Sequence, residues 1–291
     1  MSRRALTAAG ILALWLLGLA ALARRELSGG QTARLTRAAL FVSPGAEYYT
    51  VSDGARQIGF ASSTIDTVPT AIRITDVVLA DLRHDGVSRR VSARSLVVLS
   101  RALRLRTFRY ELGAGFAPYR AAGSVSGDTL LTLVVDSGRA PAVRRRIRIP
   151  GPLYLPTMVP MVIALGERPS VGSTHRFVVF DPLDDSLSHV VVRVSAESLF
   201  VLPDSARWDA PASRWVSAHD DTVRAWRIEQ QGVSGPGPLT GWIDGRGRMV
   251  QAAPLPHFEL RRTAYEIAFE NWARDASPAA RPTSAHPPLT P

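Results

Sequence analysis

The sequence predicts a mainly β, antiparallel fold with one buried helical segment and a C-terminal helix, preceded by one N-terminal transmembrane helix. Most of the chain alternates apolar and polar residues in runs of strand length, which is typical of strands with one buried and one solvated face. Asp-Gly and Gly-Asp pairs, which favour tight hairpin turns, separate several of these runs. One almost wholly apolar run, residues 155–165, interrupts the strands and contains two prolines.

The alternation is clearest in two runs. In residues 143–149 three arginines share one face and the apolar residues share the other, with Arg145 as the exception. Residues 189–196 alternate valine with polar residues in the same way. The predicted strands are 48–51, 57–60, 72–82, 91–99, 103–112, 119–126, 129–135, 143–149, 189–196, 223–229, 239–243, 248–252 and 258–262.

Four predicted turns join these strands into hairpins. Asp53-Gly54 and Asp85-Gly86 each supply the positive φ that a tight turn requires, and Gly127-Asp128 separates two further strands. The run Asp244-Gly245-Arg246-Gly247 closes the last hairpin. The polar segment 202–221 lacks clear alternation, and we expect it to form a long loop.

Two segments are predicted to be helical. Residues 155–165 are apolar on almost every side, which indicates burial, and Pro156 and Pro160 should kink the segment or confine it to short turns. Residues 263–274 place aromatic and small apolar side chains at helical spacing without Gly or Pro, so this helix should lie against the sheet.

The N-terminus has the features of a membrane anchor. Residues 5–23 form an uncharged apolar run, and 19 residues of helix span about 28 Å, close to the hydrocarbon thickness of a bilayer. Ala21-Leu22-Ala23 resembles a signal-peptidase site, so cleavage after Ala23 would release a secreted or periplasmic protein. The length of the run and the arginines at 24 and 25 favour a retained single-pass anchor.

These features predict four regions. They are an anchor or signal segment (1–25), a tether (26–45), an extracytoplasmic, periplasmic β domain (46–275) and a disordered proline-rich tail (276–291).

Composition narrows the possible chemistry. The 291 residues carry a net charge of +10, yet all 35 basic residues are arginine, as codon bias of a GC-rich genome would produce. Export would separate the chain from most nucleic acid, so we expect no nucleic-acid partner. The absence of cysteine excludes disulfides, thiolate metal sites and a cysteine nucleophile.

No motif assigns a catalytic, cofactor-binding or metal-binding residue. The chain lacks the G-x-S-x-G motif of serine hydrolases, a phosphate-binding loop and an EF-hand pattern. The arginine face at 144, 146 and 148 could meet anionic lipid headgroups, but a solvated strand face explains it better. The candidates for catalysis or metal binding, considered only on composition, are His84, His175, His189, His219, His257, Asp181, Asp184, Asp185, Asp220 and Asp221.

Short motifs in the middle of the chain resemble a known family. They are Gly151–Pro156, Pro160, Gly172–Thr174 and Phe177–Pro182, with 49–60 similar to the family's start and 223–228 and 241–248 similar to its end. Together they resemble, over residues 46–265, the extracytoplasmic β domain that precedes the core of bacterial transglutaminase-like proteins. The resemblance implies a strongly curved antiparallel sheet, akin to the half-barrels of LolA-like lipoprotein carriers. The sequence has no transglutaminase core and no cysteine after this domain, so no catalytic residue is carried over.

The sequence is compatible with three functions. The first is a non-catalytic, membrane-tethered extracytoplasmic module that binds a separate membrane or periplasmic protein, with residues 155–165 as a plug across the concave face. The second is a carrier or sensor of an apolar ligand, such as a lipid or acyl chain, in a half-barrel cavity. The third is an unrecognised hydrolase, which would require His, Asp and Ser to converge in one pocket.

Overall fold

The computed structural model describes six ranges of the chain, and the predicted anchor, most of the tether and the tail lie outside them. No helix within these ranges is long and apolar enough to cross a lipid bilayer. The described residues are 42–84, 87–113, 118–166, 168–231, 239–255 and 257–275.

A single sheet of 15 strands dominates these residues and confirms the mainly β prediction. Its order is β8-β7-β6-β5-β4-β3-β2-β1-β15-β14-β13-β12-β11-β10-β9, and every neighbouring pair is antiparallel except β9 and β10. The strands are β1 Gly45–Asp53, β2 Arg56–Val68, β3 Ala71–His84, β4 Val87–Ser100, β5 Leu105–Gly113, β6 Tyr119–Ser126, β7 Leu130–Asp136, β8 Val143–Arg148, β9 Leu153–Tyr154, β10 Thr174–Asp181, β11 Ser186–Asp209, β12 Arg214–Gln231, β13 Leu239–Asp244, β14 Met249–Leu255 and β15 Phe258–Thr263.

The strand order requires strong curvature. Strands β8 and β9 are the two edges of the sheet, yet only residues 149–152 separate them along the chain. Consecutive Cα atoms are about 3.8 Å apart, so the connection from Arg148 to Leu153 spans at most about 19 Å. The sheet therefore wraps round until its edges approach, while no ladder joins β8 to β9 in the described residues.

Side-chain contacts also join the two halves of the wrapped sheet. The Tyr119 hydroxyl of β6 donates a hydrogen bond to the Pro182 carbonyl oxygen after β10. Arg145, the one arginine on the apolar face of β8, forms an ion pair with Asp185 in the β10–β11 turn. The ion pair with Asp185 gives a reason for the arginine that interrupts the apolar face of β8.

The predicted apolar segment lies inside the sheet and is confirmed as helical. It begins with a 3₁₀ turn at Pro156–Met158 and continues as helix α1, Val159–Gly166. Pro160 falls in the first turn of α1, where its missing N–H needs no intrahelical partner, so the proline is accommodated. We call Pro156–Gly166 the inner segment; its residues pack with those of the sheet in the largest hydrophobic cluster.

The prediction of a long loop at 202–221 is wrong. Strand β11 continues to Asp209 and β12 begins at Arg214, so the segment is the outer half of a long hairpin. Most residues of this outer half are polar and exposed on both faces, and two irregularities of register, on either side of Ser205, interrupt its pairing. This polarity removed the alternation on which the prediction depended.

The C-terminal helix begins later than predicted. Thr263 pairs with Tyr48 as the last residue of β15, because ladder hydrogen bonds compete with helix formation there. A π-helical turn, Glu266–Glu270, then leads into helix α2, Asn271–Asp275. The helical residues pack on the outer face of the sheet, where the Phe269 ring lies 4.9 Å from the Phe60 ring.

Close packing of the inner segment against Gly247 gives a test of this fold. A β-carbon on Gly247 would lie 2.4 Å from the Met161 Cα atom, and Gly247 has φ +75. We expect Gly247→Ala to lower the free energy of unfolding by about 2–4 kcal/mol through overpacking and backbone strain. Urea unfolding of the purified chain measures this loss.

Gly54 provides the matched control. It also has positive φ, +57, but an added β-carbon would meet no heavy atom within 4 Å. Gly54→Ala should therefore cost only the backbone strain, about 1 kcal/mol. Equal losses in the two variants would contradict the close approach of the inner segment.

Candidate functional site

A cavity of about 340 Å³ lies between the inner segment and the concave face of the sheet. The inner segment contributes one wall, from Pro156 to Met161, and strands β1–β3 and β12–β15 contribute the other. Most of its lining is apolar, with Ile65, Ile74 and Ile228 among the larger side chains. The apolar lining can take an apolar molecule without desolvating many polar groups.

A row of polar side chains crosses the concave face at this cavity. Ser63, Asp76, Ser95 and Tyr110 face one another in register on β2, β3, β4 and β5. The Ser63 hydroxyl donates to Asp76 Oδ1 over 2.7 Å, and the Ser95 hydroxyl donates to Asp76 Oδ2 over 2.9 Å. Burial raises the pKa of the Asp76 carboxyl above its ordinary value, and the two serine hydrogen bonds oppose that shift.

Tyr49 adds a protonated phenol to the lining. Its side chain is buried between Ala61 of β2 and Arg262 of β15, its cross-strand neighbours. Burial raises the pKa of the Tyr49 hydroxyl, and the nearby Glu47 carboxylate raises it further. The phenol therefore keeps its proton and can donate a hydrogen bond at neutral pH.

Gln230 is the unusual polar residue of the site. It lines the cavity from β12 and is only 8% exposed. Its Nε2 atom is buried and has no hydrogen-bond partner among the described residues. A buried donor without an acceptor costs about 1–3 kcal/mol, so this amide marks a place where a partner would be stabilising.

Ion pairs support the wall beside the β13–β14 turn. Arg248 pairs with Glu47, and both residues line the cavity. Arg262 Nη1 lies 2.8 Å from Asp244 Oδ2, and Asp244 Oδ1 accepts hydrogen bonds from the Arg246 and Arg248 backbone amides. Each of these charges has an opposite charge nearby, so the group fixes the turn against the inner segment.

Among the side chains that the structure describes, the candidate histidines lie apart from one another. His175 lies on β10 beside Ser173, His189 is exposed on β11, and His257 is exposed in the turn before β15. His219 is exposed on β12 and pairs with Asp204 over 2.8 Å, a hydrogen bond that raises the pKa of the imidazole. The side chain of His84 lies outside the described residues.

The acidic candidates also lie away from the cavity lining. Asp181 accepts a hydrogen bond from the Leu183 amide, and Asp220 accepts one from the Ser217 hydroxyl, as turn and strand-end residues often do. In the described ranges, no group of three His, Cys, Asp or Glu residues could hold a metal ion. The arginines at 144, 146 and 148 are exposed on β8.

Sequence reasoning missed Asp76 and Gln230, although a signal was present. Ile72, Ile74 and Asp76 occupy alternate positions of one strand, so the carboxylate stands where an inward apolar residue is expected. Gln230 follows Trp226 and Ile228 at the same spacing. A polar residue on an apolar strand face can mark a buried site.

Comparisons with known proteins show no family. No protein-family model and no curated protein matches the sequence. A β-barrel-like protein of the domain of unknown function DUF1849 from Brucella abortus has a TM-score of 0.47 and 11% identity, covering 76% of this chain and 95% of that one. A DUF1089 family protein from Pseudomonas aeruginosa has a TM-score of 0.35 and 9% identity, covering 69% of this chain and 92% of that one.

Likenesses of this strength assign no function to the chain. The comparisons also show no link to the β domain of transglutaminase-like proteins, so that resemblance stays a prediction.

Because the pKa of Asp76 is raised, replacing this residue with its neutral isostere asparagine should increase the stability of the fold by an amount that depends on pH. In the folded chain burial disfavours the carboxylate, so the stability that Asp76 confers in acid is lost as pH rises through its raised pKa. Asp76→Asn cannot ionise and avoids this loss. Its free energy of unfolding should increase relative to the parent between about pH 3 and about pH 7.

Urea unfolding across that pH range measures the difference. Asp66→Asn, at an exposed position of the neighbouring strand, is the matched control. A difference between Asp76→Asn and the parent that stays constant with pH would contradict the burial of this carboxyl.

Proposed function

We propose that this chain is a non-catalytic binding module that holds a small apolar ligand between the inner segment and the concave face of its sheet. The observation that carries the proposal is the mainly apolar cavity of about 340 Å³. Small-molecule sites are concave, mostly apolar and about 300–1,000 Å³ in volume, with a few polar groups that orient the ligand. This cavity lies at the small end of that range and contains such polar groups.

The construction of the site also favours binding. The sheet side of the cavity is held by continuous ladders from β3 through β1 to β12. The opposite wall is a short segment held by side-chain packing. Because the sheet side is held by ladders and the inner segment only by side-chain packing, a small displacement of the inner segment would let a ligand enter.

The N-terminal side of the described chain lies beside this cavity. Val42 packs against the main hydrophobic cluster and Gly45 lines the cavity. The predicted membrane anchor, residues 5–23, precedes this point by a short tether. We therefore propose an extracytoplasmic, membrane-tethered module whose ligand comes from the bilayer or its surface.

A second candidate function is the binding of a separate membrane or periplasmic protein, which the β11–β12 hairpin favours. Leu199 and Val201 lie on one face of β11 and are 64% and 57% exposed. Neighbouring exposed apolar side chains are typical of an interaction surface. A transglutaminase-like enzyme is one such partner suggested by the resemblance.

Filling the cavity should block ligand binding without unfolding the chain. Ala252 lines the cavity from β14, whereas Ala253, next along the strand, is exposed. Ala252→Phe should lower the affinity for an apolar probe at least about tenfold, because the new ring occupies the space. Its melting temperature should stay within a few degrees of the parent or rise, because filling a cavity stabilises.

Ala253→Phe is the matched control and should bind the probe as the parent does. Displacement of a fluorescent fatty probe from the purified full chain measures both affinities. Equal binding by the two variants would place the ligand elsewhere and contradict the proposal.

The proposed location is tested separately. A periplasmic-active reporter enzyme fused after Pro291 should be active, and a cytoplasm-only reporter at the same position should be silent. Membrane fractionation should then place the fusion in the membrane, with release after deletion of residues 5–23. Activity of the cytoplasmic reporter alone would refute the extracytoplasmic location.

A further inference from the structure

Gln230 points to the chemistry of the ligand. It lines the apolar cavity, is more than nine-tenths buried, and its Nε2 atom lacks an acceptor among the described residues. The other polar groups of the cavity that carry charge already have partners, since Asp76 accepts from two serines and Glu47 pairs with Arg248. An acceptor supplied by the ligand is therefore the missing partner of this amide.

We propose that the ligand is a single acyl chain whose uncharged head carries a carbonyl oxygen, as in a fatty amide or fatty ester, and that Gln230 donates to this oxygen. This inference rests on the proposed function, since it assigns the head group of the ligand in the same cavity. The apolar chain lies along the isoleucine and methionine side chains of the lining. A cavity of about 340 Å³ has room for one chain.

The charges around the cavity argue against an anionic head. Asp76 is buried in the lining and no basic side chain pairs with it in the described part of the chain. The basic groups nearby, Arg248 and Arg262, are engaged with Glu47 and Asp244. A ligand carboxylate or phosphate would therefore lie beside a buried carboxyl group, and no unengaged basic group would be there to pair with it.

A cationic head fits less well than a carbonyl. An ammonium group is only a donor, so it cannot satisfy the Nε2 donor of Gln230. Both Asp76 oxygens already accept hydrogen bonds from Ser63 and Ser95, which compensate that carboxyl within the protein. A carbonyl oxygen, in contrast, can accept from the Gln230 amide and from the protonated Tyr49 phenol.

Four ligands that share a lauryl-length chain and differ in the head test this assignment. They are lauramide, methyl laurate, laurate and laurylamine, each radiolabelled and bound to the full chain in lipid nanodiscs, with empty nanodiscs subtracted. Lauramide and methyl laurate should bind at least about tenfold more tightly than laurate and laurylamine. Tightest binding by laurate or laurylamine would overturn the head-group assignment.

Gln230→Leu tests the donor, and Gln231→Leu, exposed next along the strand, is the matched control. Gln230→Leu should weaken lauramide and methyl laurate about five- to tenfold and leave laurylamine unchanged. Without ligand its melting temperature should equal or exceed that of the parent, because the unpartnered donor is removed. A merely structural glutamine would give the opposite shift.

Different results would refute the role of Gln230 and the binding function itself. If one of the four ligands binds but Gln230→Leu leaves lauramide and methyl laurate unchanged, the role of Gln230 is refuted and the binding function stands. If none of the four binds above the level of empty nanodiscs, the binding function itself fails.

Discussion

The connection between β8 and β9 is the constraint on which the rest of the fold depends. These strands are the opposite edges of a sheet of 15 strands, and residues 149–152 alone link them. So short a link cannot reach across a flat sheet of this width, because neighbouring strands lie about 4.8 Å apart. The sheet must wrap, and a wrapped sheet has an interior that side chains have to fill.

The same link supplies the filling. Immediately after β9 the chain enters the interior as the inner segment, so the segment that closes the sheet also occupies its concave face. The filling is incomplete on one side, where the lining of the cavity is rich in small residues. These are Gly45, Ala61, Gly241, Gly247 and Ala252. Three of them are closely packed, since a β-carbon on Gly247, Gly241 or Gly45 would press on Met161, Met249 or Arg248.

The sequence was informative wherever a local pattern decides the structure. Gly127 and Asp128 both adopt positive φ, 60 and 55, and form the predicted turn between β6 and β7. The inner segment was predicted because burial on every side leaves an apolar run without polar positions. The outer half of the β11–β12 hairpin was not predicted, because it lacks a buried face and its sequence therefore shows no alternation of apolar and polar residues. Cross-strand pairing holds it together instead.

The cavity could not be predicted, because it depends on residues that are distant in the sequence. Ala61 and Ala252 line one space only because β1 pairs with both β2 and β15. No local pattern specifies that pairing. The polar row had a local signal in Asp76, but its compensation by Ser63 and Ser95 depends on the register of three strands.

Some polar groups of the interior have hydrogen-bond or ion-pair partners within the chain, and one does not. The paired groups serve the fold, whereas the unpaired one indicates ligand recognition. Asp76 receives two hydroxyl donors, and Glu47 and Arg248 neutralise each other, so these groups are satisfied by the chain itself. Gln230 is not, although a leucine would fill its position without a buried donor. An unpaired buried donor lowers the free energy of unfolding of the ligand-free protein by about 1–3 kcal/mol. Folding therefore does not explain why a glutamine occupies this position. Its place on the wall of an apolar cavity is explained if the donor is satisfied by a molecule that the cavity holds.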